Sequence, residues 1–179
     1  MKFLLLLFLC SLNLFAQEGD KIHYENLVEA YYDNNTKRPL YIYDSVNGTI
    51  VDTLKPIEAK NSWYKIAIID SEYGWFKIKN IQRSPNLYTN YGYESHWVKT
   101  SDFLISVDSF NENHRVYLYD EPTDKSNKIH KIDSWQSVHI IETSDLWTMV
   151  SFKVGKKRVN GWLNFKDQCA YPWTTCPNK

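Results

Sequence analysis

The chain has 179 residues, of which 21 are basic, 21 are acidic and 16% are aromatic. This balance of charge argues against a protein that attracts nucleic acid or another polyanion over long range. With 43% hydrophobic residues, 6 glycines and 6 prolines, the composition also excludes a disordered or collagen-like chain.

The N-terminal segment has the layout of a secretory signal peptide. One lysine precedes an apolar block, residues 3–9, and Ala16 supplies the small residue expected before a cleavage site. A membrane-spanning helix needs about 20 consecutive apolar residues, and polar residues interrupt this segment before that length. We therefore predict a cleaved signal peptide, 1–16, a secreted or periplasmic location, and no stable insertion in a membrane.

An internal repeat follows the signal segment. Residues 38–44, Arg-Pro-Leu-Tyr-Ile-Tyr-Asp, recur at 114–120 as His-Arg-Val-Tyr-Leu-Tyr-Asp. Other matches keep the same order along the chain: Leu27-Val28 with Phe103-Leu104, Trp63 with Trp147, and Gly74-Trp75 with Gly161-Trp162. Because a repeat fixes the architecture before single elements are assigned, we predict two homologous domains and a linker, with boundaries at 17–83, 84–95 and 96–179.

Each repeat shows the period-two alternation of β-strands. Leu40 and Ile42 point to one side of their strand, and Tyr41 and Tyr43 point to the other; residues 116–119 alternate in the same way. The predicted core is the aliphatic and phenylalanine set that this alternation selects: Leu40, Ile42, Ile66, Ile68, Phe76, Ile78, Val116, Leu118, Val150, Phe152, Leu163 and Phe165. Since no long segment carries a helical stripe, the fold class is predicted to be all-β.

The cysteines fit an exported protein. Cys169 and Cys176 lie close together near the C-terminus, and in an oxidising compartment such a pair is most simply a disulfide that closes a short loop. A redox-active pair is the alternative, but the C-x-x-C spacing is missing. Lipidation of Cys10 is disfavoured because Leu9 stands where a lipobox has a small residue.

The order of these motifs resembles bacterial SH3-type (SH3b) domains. In each unit Tyr-x-Tyr-Asp leads into a hairpin, an aliphatic pair, a tryptophan that heads an alternating strand, and a Gly-Trp dipeptide near the end. The resemblance covers both units and implies two tandem small SH3-like barrels after the cleaved signal peptide. It also implies that the protein binds peptide or cell-wall material and does not catalyse a reaction.

Aromatic residues are the first candidates for ligand binding. Aromatic rings dominate many recognition surfaces because they offer a large area at a low cost in entropy. If the aliphatic sides of the strands face the core, alternation turns the following rings outward into a groove on each copy: Tyr41, Tyr43 and Trp75, and Tyr117, Tyr119 and Trp162. The alternative is that these rings close the barrel ends or fill the interface between the two units.

Asp44 and Asp120 are the charged candidates, because they follow the Tyr-x-Tyr strand at equivalent positions. A carboxylate at this place could accept an ammonium or guanidinium group from a peptide ligand. The alternative is that each aspartate accepts hydrogen bonds from its own turn, as aspartate commonly does after a strand.

The sequence contains no motif for catalysis, a cofactor or a metal ion. None of the 5 histidines falls in a zinc-binding spacing. The sequence also lacks a nucleophile elbow, a P-loop and a dinucleotide fingerprint. We therefore predict a non-enzymatic protein without cofactor or metal.

Three functional hypotheses remain at this point. The first is an exported binder of peptide or protein surfaces, with peptidoglycan stem peptides as candidate ligands. The second is an inhibitor or immunity-type protein that occludes a secreted enzyme with the loop 155–159. The third is a small hydrolase whose residues converge only in three dimensions, with His114 or His139 beside a carboxylate in a cleft.

Overall fold

The computed structural model describes residue 24 and residues 26–59, 62–84, 90–107 and 114–170. In this part of the chain the protein is all-β, with fourteen strands, three short 3₁₀ turns and no α-helix, which confirms the predicted fold class at that level. None of the described segments is a helix that could cross a membrane. The predicted signal peptide, 1–16, lies outside the described residues.

The strands of the first half follow one another along the chain as β1 (Val28–Tyr32), β2 (Leu40–Tyr43), β3 (Ile50–Leu54), β4 (Trp63–Glu72), β5 (Trp75–Ser84), β6 (Asn90–Gly92) and β7 (Trp97–Lys99). Those of the second half are β8 (Phe103–Val107), β9 (Val116–Tyr119), β10 (Lys128–Ile132), β11 (Gln136–Ser144), β12 (Trp147–Val154), β13 (Lys157–Leu163) and β14 (Gln168–Cys169). The 3₁₀ turns are Asn34–Thr36, Thr100–Asp102 and Phe165–Asp167.

All fourteen strands belong to one antiparallel sheet, and its strand order repeats. From the centre outward, one side runs β1-β4-β5-β7-β2-β3 and the other runs β8-β11-β12-β13-β9-β10. The two short strands off this path are β6, which pairs with β5, and β14, which pairs with β8. Each of the six strands on one side of this path therefore has a counterpart on the other side, and β1 and β8 meet at the centre of the sheet.

The strand pairing corrects the alignment of the two repeats. In the first half Trp97 on β7 lies opposite Tyr43, and in the second half Trp162 on β13 lies opposite Tyr119. Trp97 is therefore the counterpart of Trp162. The domain boundary predicted at residue 96 would place β7 in the second unit, although β7 pairs with β5 and β2 of the first half.

By the same pairing, Trp75 at the start of β5 corresponds to Trp147 at the start of β12. The sequence alignment matched Trp75 with Trp162 because both follow a glycine, and it is wrong at this position. The segment predicted as a linker, 84–95, includes β6, which pairs with β5.

The buried core follows the period-two pattern. Every predicted core residue except Phe165 belongs to one cluster of buried side chains that joins both halves. Phe165 lies instead in the 3₁₀ turn after β13, where the side chain of Asn164 accepts a hydrogen bond from the backbone N–H of Lys166 and ends the strand. The shared cluster shows that the two halves are packed on one continuous core.

Polar contacts also join the halves near the centre of the sheet. Ser71 Oγ donates to the carbonyl of Thr143, whose N–H donates back to Ser71 Oγ. Within the first half, the buried Lys65 Nζ on β4 lies 2.6 Å from Glu29 Oε1 on β1. Burial lowers the pKa of the Lys65 ammonium, and the attraction of Glu29 opposes that shift.

Candidate binding site

Three aromatic side chains form a group on the outer face of the first half, here called the first cluster: Tyr43, Trp75 and Trp97. Each one is next to a core residue on its strand, and strand alternation therefore turns it away from the core. The rings of Tyr43 and Trp75 meet edge to face, with centroids 4.7 Å apart. Trp75 is only 6% exposed, whereas Tyr43 and Trp97 are half-buried.

Two lysines lie over the first cluster. Lys99 Nζ is 5.5 Å from the centroid of the Trp75 ring and 5.9 Å from that of Tyr43. Lys77 Nζ is 5.9 Å from the centroid of Trp97. These distances allow the cations to interact with the electron-rich faces of the rings, so the first cluster combines aromatic surface with positive charge.

The second cluster consists of Tyr119, Trp147 and Trp162. The rings of Tyr119 and Trp147 again meet edge to face, with centroids 5.3 Å apart. Tyr119 and Trp162 are 7% and 8% exposed, so this cluster is more covered than the first. Burial raises the pKa of the Tyr119 hydroxyl, and the nearby Asp124 raises it further.

The residues around the second cluster differ in charge from those around the first. Met149 lies opposite Trp162, where Lys77 lies opposite Trp97 in the first half. Lys99 comes two residues after Trp97, and Asn164 stands at the same place after Trp162. The second cluster therefore lacks both lysines of the first.

A longer hairpin loop is tied to the second cluster. Its residues 121–126 take the place of residues 45–48 in the first half, as the closing backbone hydrogen bonds of the two hairpins show. Asp124 in this loop accepts a hydrogen bond of 2.9 Å from Asn164 Nδ2, and its carboxylate lies 3.9 Å from Lys166 Nζ. The loop thus holds a carboxylate beside the end of the strand that carries Trp162.

The two predicted aspartates close their own hairpins. Asp44 Oδ1 accepts hydrogen bonds from Ser45 Oγ and from the N–H of Thr49, both at 2.9 Å. Asp120 accepts two bonds of 2.9 Å from the side chain and the N–H of Asn127. The side-chain bonds and then the backbone bonds hold the pKa of both carboxyls below the ordinary value. This geometry agrees with the turn-closing alternative.

The predicted rings lie on the expected side of their strands, but they are not equally accessible. Tyr41 is 38% exposed, and Tyr117 lies beneath Lys128, whose Nζ is 4.4 Å from the ring centroid. The structure joins Tyr43 with Trp75, and it places Tyr119 opposite Trp162. From the sequence we expected all of these rings to be open to solvent, whereas Trp75, Tyr119 and Trp162 are each less than a tenth exposed.

Sequence reasoning missed the role of Trp97, which it assigned to the start of the second unit. A shared spacing could have revealed it. Trp97 precedes Asp102 by the same number of residues as Trp162 precedes Asp167, and each tryptophan strand is followed by a 3₁₀ turn.

The aspartate that ends each of these turns contacts the residue two positions before the Tyr-x-Tyr strand. Arg38 Nη2 lies 2.8 Å from Asp102 Oδ1, and His114 Nε2 lies 2.6 Å from Asp167 Oδ1. His114 is therefore beside a carboxylate, as the hydrolase hypothesis required. However, Arg38 holds the same place in the first half, and a guanidinium group only donates hydrogen bonds, which favours an anchoring role for both pairs.

The predicted disulfide lies only in part within the described residues. Cys169 is buried on β14, but its predicted disulfide partner, Cys176, lies outside the described residues. Among the described residues, no three His, Cys, Asp or Glu side chains converge in a way that could hold a metal ion.

Comparisons with known proteins assign no family to this chain. No family model matches the sequence, and no curated protein matches it. A solved structure of NlpC2 from Trichomonas vaginalis is 12% identical with a TM-score of 0.32, and the match covers 82% of this chain and 49% of that one. This chain thus spans about half the length of that structure. At this TM-score the similarity supports no assignment of fold or function.

Proposed function

We propose that this protein is an exported, non-enzymatic binder of peptide or protein surfaces, and that cell-wall stem peptides are the first ligands to test. In this proposal each half of the sheet is a divergent SH3-like barrel. The observation that carries the proposal is the paired tyrosine and two tryptophans, which recur on the outer face of both halves.

Aromatic side chains on the outer face suit recognition better than they suit the core. The core is already filled by the buried cluster that joins the halves. Rings on the opposite face add apolar area and a polar edge, which is the combination found at many protein recognition sites. Tyr41 extends this surface along β2 beside the first cluster, because it shares the outer face with Tyr43.

A retention assay on purified cell-wall fragments tests the proposal. We expect Tyr41→Ala and Trp97→Ala each to weaken retention about tenfold or more, as truncation of an aromatic anchor does. Ile141→Ala is the matched control, because Ile141 is similarly exposed but lies on β11, outside both clusters. Circular dichroism would show that each variant is folded. Equal retention of all folded variants would exclude the first cluster as the site.

The inhibitor hypothesis has one supporting observation. Residues 153–158, which form the hairpin tip between β12 and β13, are all exposed. A protruding hairpin of this kind can enter an enzyme cleft. Co-purification from native extract separates the two functions: a single stoichiometric enzyme lost in the double variant Lys156→Glu, Lys157→Glu favours inhibition, and retention on the cell wall favours targeting.

A further inference from the structure

The two clusters lie on equivalent strands, but they differ in the neighbouring charges and in the exposure of their rings. From this difference we propose that the first cluster is the ligand site and that it takes an acidic peptide segment, while the second cluster stabilises its own half. The inference rests on the proposed binding function and specifies which site acts and what charge its ligand carries.

Among the described residues, neither Lys77 nor Lys99 has a carboxylate oxygen within 4.0 Å of its ammonium group. The carboxylates nearest in strand register are Asp70, opposite Lys77, and Glu72, opposite Trp75, and neither makes an ion pair with these lysines. In contrast, the neighbouring Lys79 is paired with Glu94.

Lys99 is exposed, and its ammonium lies over two rings of the first cluster. A carboxylate that approached Lys99 would therefore stand beside the apolar surface of Tyr43 and Trp75. Such a site matches a peptide that alternates acidic groups with apolar or backbone surface, because one part of the ligand meets the cation and the other meets the rings.

The second half differs in the charges around its cluster. There Met149 and Asn164 replace the lysines, and Asp124 and Lys166 beside the cluster face each other. Lys128 lies opposite Tyr119 on β10, but its ammonium is over the ring of Tyr117, outside the cluster. Tyr119 and Trp162 are nearly covered. Among the described residues, no lysine thus lies over the rings of the second cluster, and Trp147 is the one half-buried ring of its three.

The ligand is a peptide and not a polyanion such as nucleic acid. The whole chain carries equal numbers of basic and acidic residues, and proteins that bind polyanions neutralise many phosphates with many cations. Two lysines over one aromatic cluster suit a short segment with a few carboxylates.

Fluorescence polarisation with labelled hexaglutamate tests the proposal on the full chain. We expect saturable binding, and about tenfold weaker binding for Lys99→Glu and for Lys77→Glu, because each variant replaces attraction with repulsion. Lys128→Glu is the matched control: it makes the same change of charge over Tyr117 in the second half, and its affinity should stay within about twofold of wild type. Added salt should weaken binding, and labelled hexalysine should not bind.

Three results would overturn the inference. The first is equal loss of affinity in Lys99→Glu and Lys128→Glu, and the second is competition by single-stranded DNA as strong as by unlabelled hexaglutamate. Failure of hexaglutamate to bind would also overturn it, while loss of cell-wall retention in Trp97→Ala would still support the proposed function. The two proposals therefore fail separately.

Discussion

In the first half of the molecule two of the three clustered rings are half-buried, and two lysines lie over the cluster, whereas in the second half two of the three corresponding rings are buried beside a longer loop. The strand order and the tyrosine–tryptophan pairing are the same in both. The difference comes from a few positions around the rings, such as Lys99 and its counterpart Asn164. A repeated backbone can thus carry two surfaces that differ in charge and in the exposure of their rings.

Close packing in the second half gives the largest expected effect. A Cβ at Gly161 would lie 2.8 Å from Ile129 Cδ1 and 2.9 Å from Leu118 Cβ. His96 takes the equivalent place before Trp97 in the first half. We expect Gly161→Ala to lower the free energy of unfolding by about 3 kcal/mol, near the upper end for overpacking. Urea denaturation would measure it, with His96→Ala as the control that should cost less than about 1 kcal/mol. An equal cost for both would remove this contrast between the halves.

The repeated contact between a basic side chain and an aspartate should be stronger in the second half. Asp167 is buried beside His114, while Arg38, the partner of Asp102, is largely exposed. We expect Asp167→Asn to cost about 2 kcal/mol, as for a buried charged hydrogen bond. Asp102→Asn should cost less than about 1 kcal/mol, as for a surface pair. Thermal or urea denaturation of the two variants measures the difference, and a larger cost for Asp102→Asn would contradict the account.

Asp124, in the loop beside the second cluster, should affect the pKa of Tyr119 more than it affects the stability of the folded protein. In Asp124→Ala we expect the raised pKa of Tyr119 to move back toward its ordinary value but not to reach it, because burial is the larger cause of the shift. The loss of stability should stay below about 1 kcal/mol, since the contacts of Asp124 are exposed. An NMR titration of the tyrosine rings tests this, with Asp133→Ala as control. A pKa of Tyr119 that is unchanged would separate the loop from the cluster.

The hairpin aspartates should give the smallest effect, and the same one in both halves. Their pKa values are lowered in the folded protein, so their stabilisation is complete above the ordinary pKa of about 3.9 and is lost as pH falls through the folded value. Asp44→Asn and Asp120→Asn should each reduce the sensitivity of stability to acid. Urea denaturation at pH 7 and at acidic pH measures this, and an unchanged acid sensitivity in both variants would show that the hairpins contribute nothing.

The sequence was sufficient for the strands and the core but not for the register of the repeat. Leu40 and Ile42 are buried because alternation depends only on neighbouring residues, which the sequence displays directly. Trp97 and Lys99 could not be placed in this way, because their neighbours Tyr43 and Trp75 come from strands that are distant in sequence. The Gly-Trp dipeptides misled the alignment, since the same local pattern occurs on two strands that are not equivalent.

An NMR titration of the ¹⁵N-labelled protein with soluble cell-wall peptides would show which of the two clusters binds the ligand. We expect the largest shifts at the indole of Trp97 and the amides of Tyr43 and Lys99, with little change at Trp162 and Asn164. Shifts concentrated at Trp162 and Asn164, or no shifts in either cluster, would contradict it.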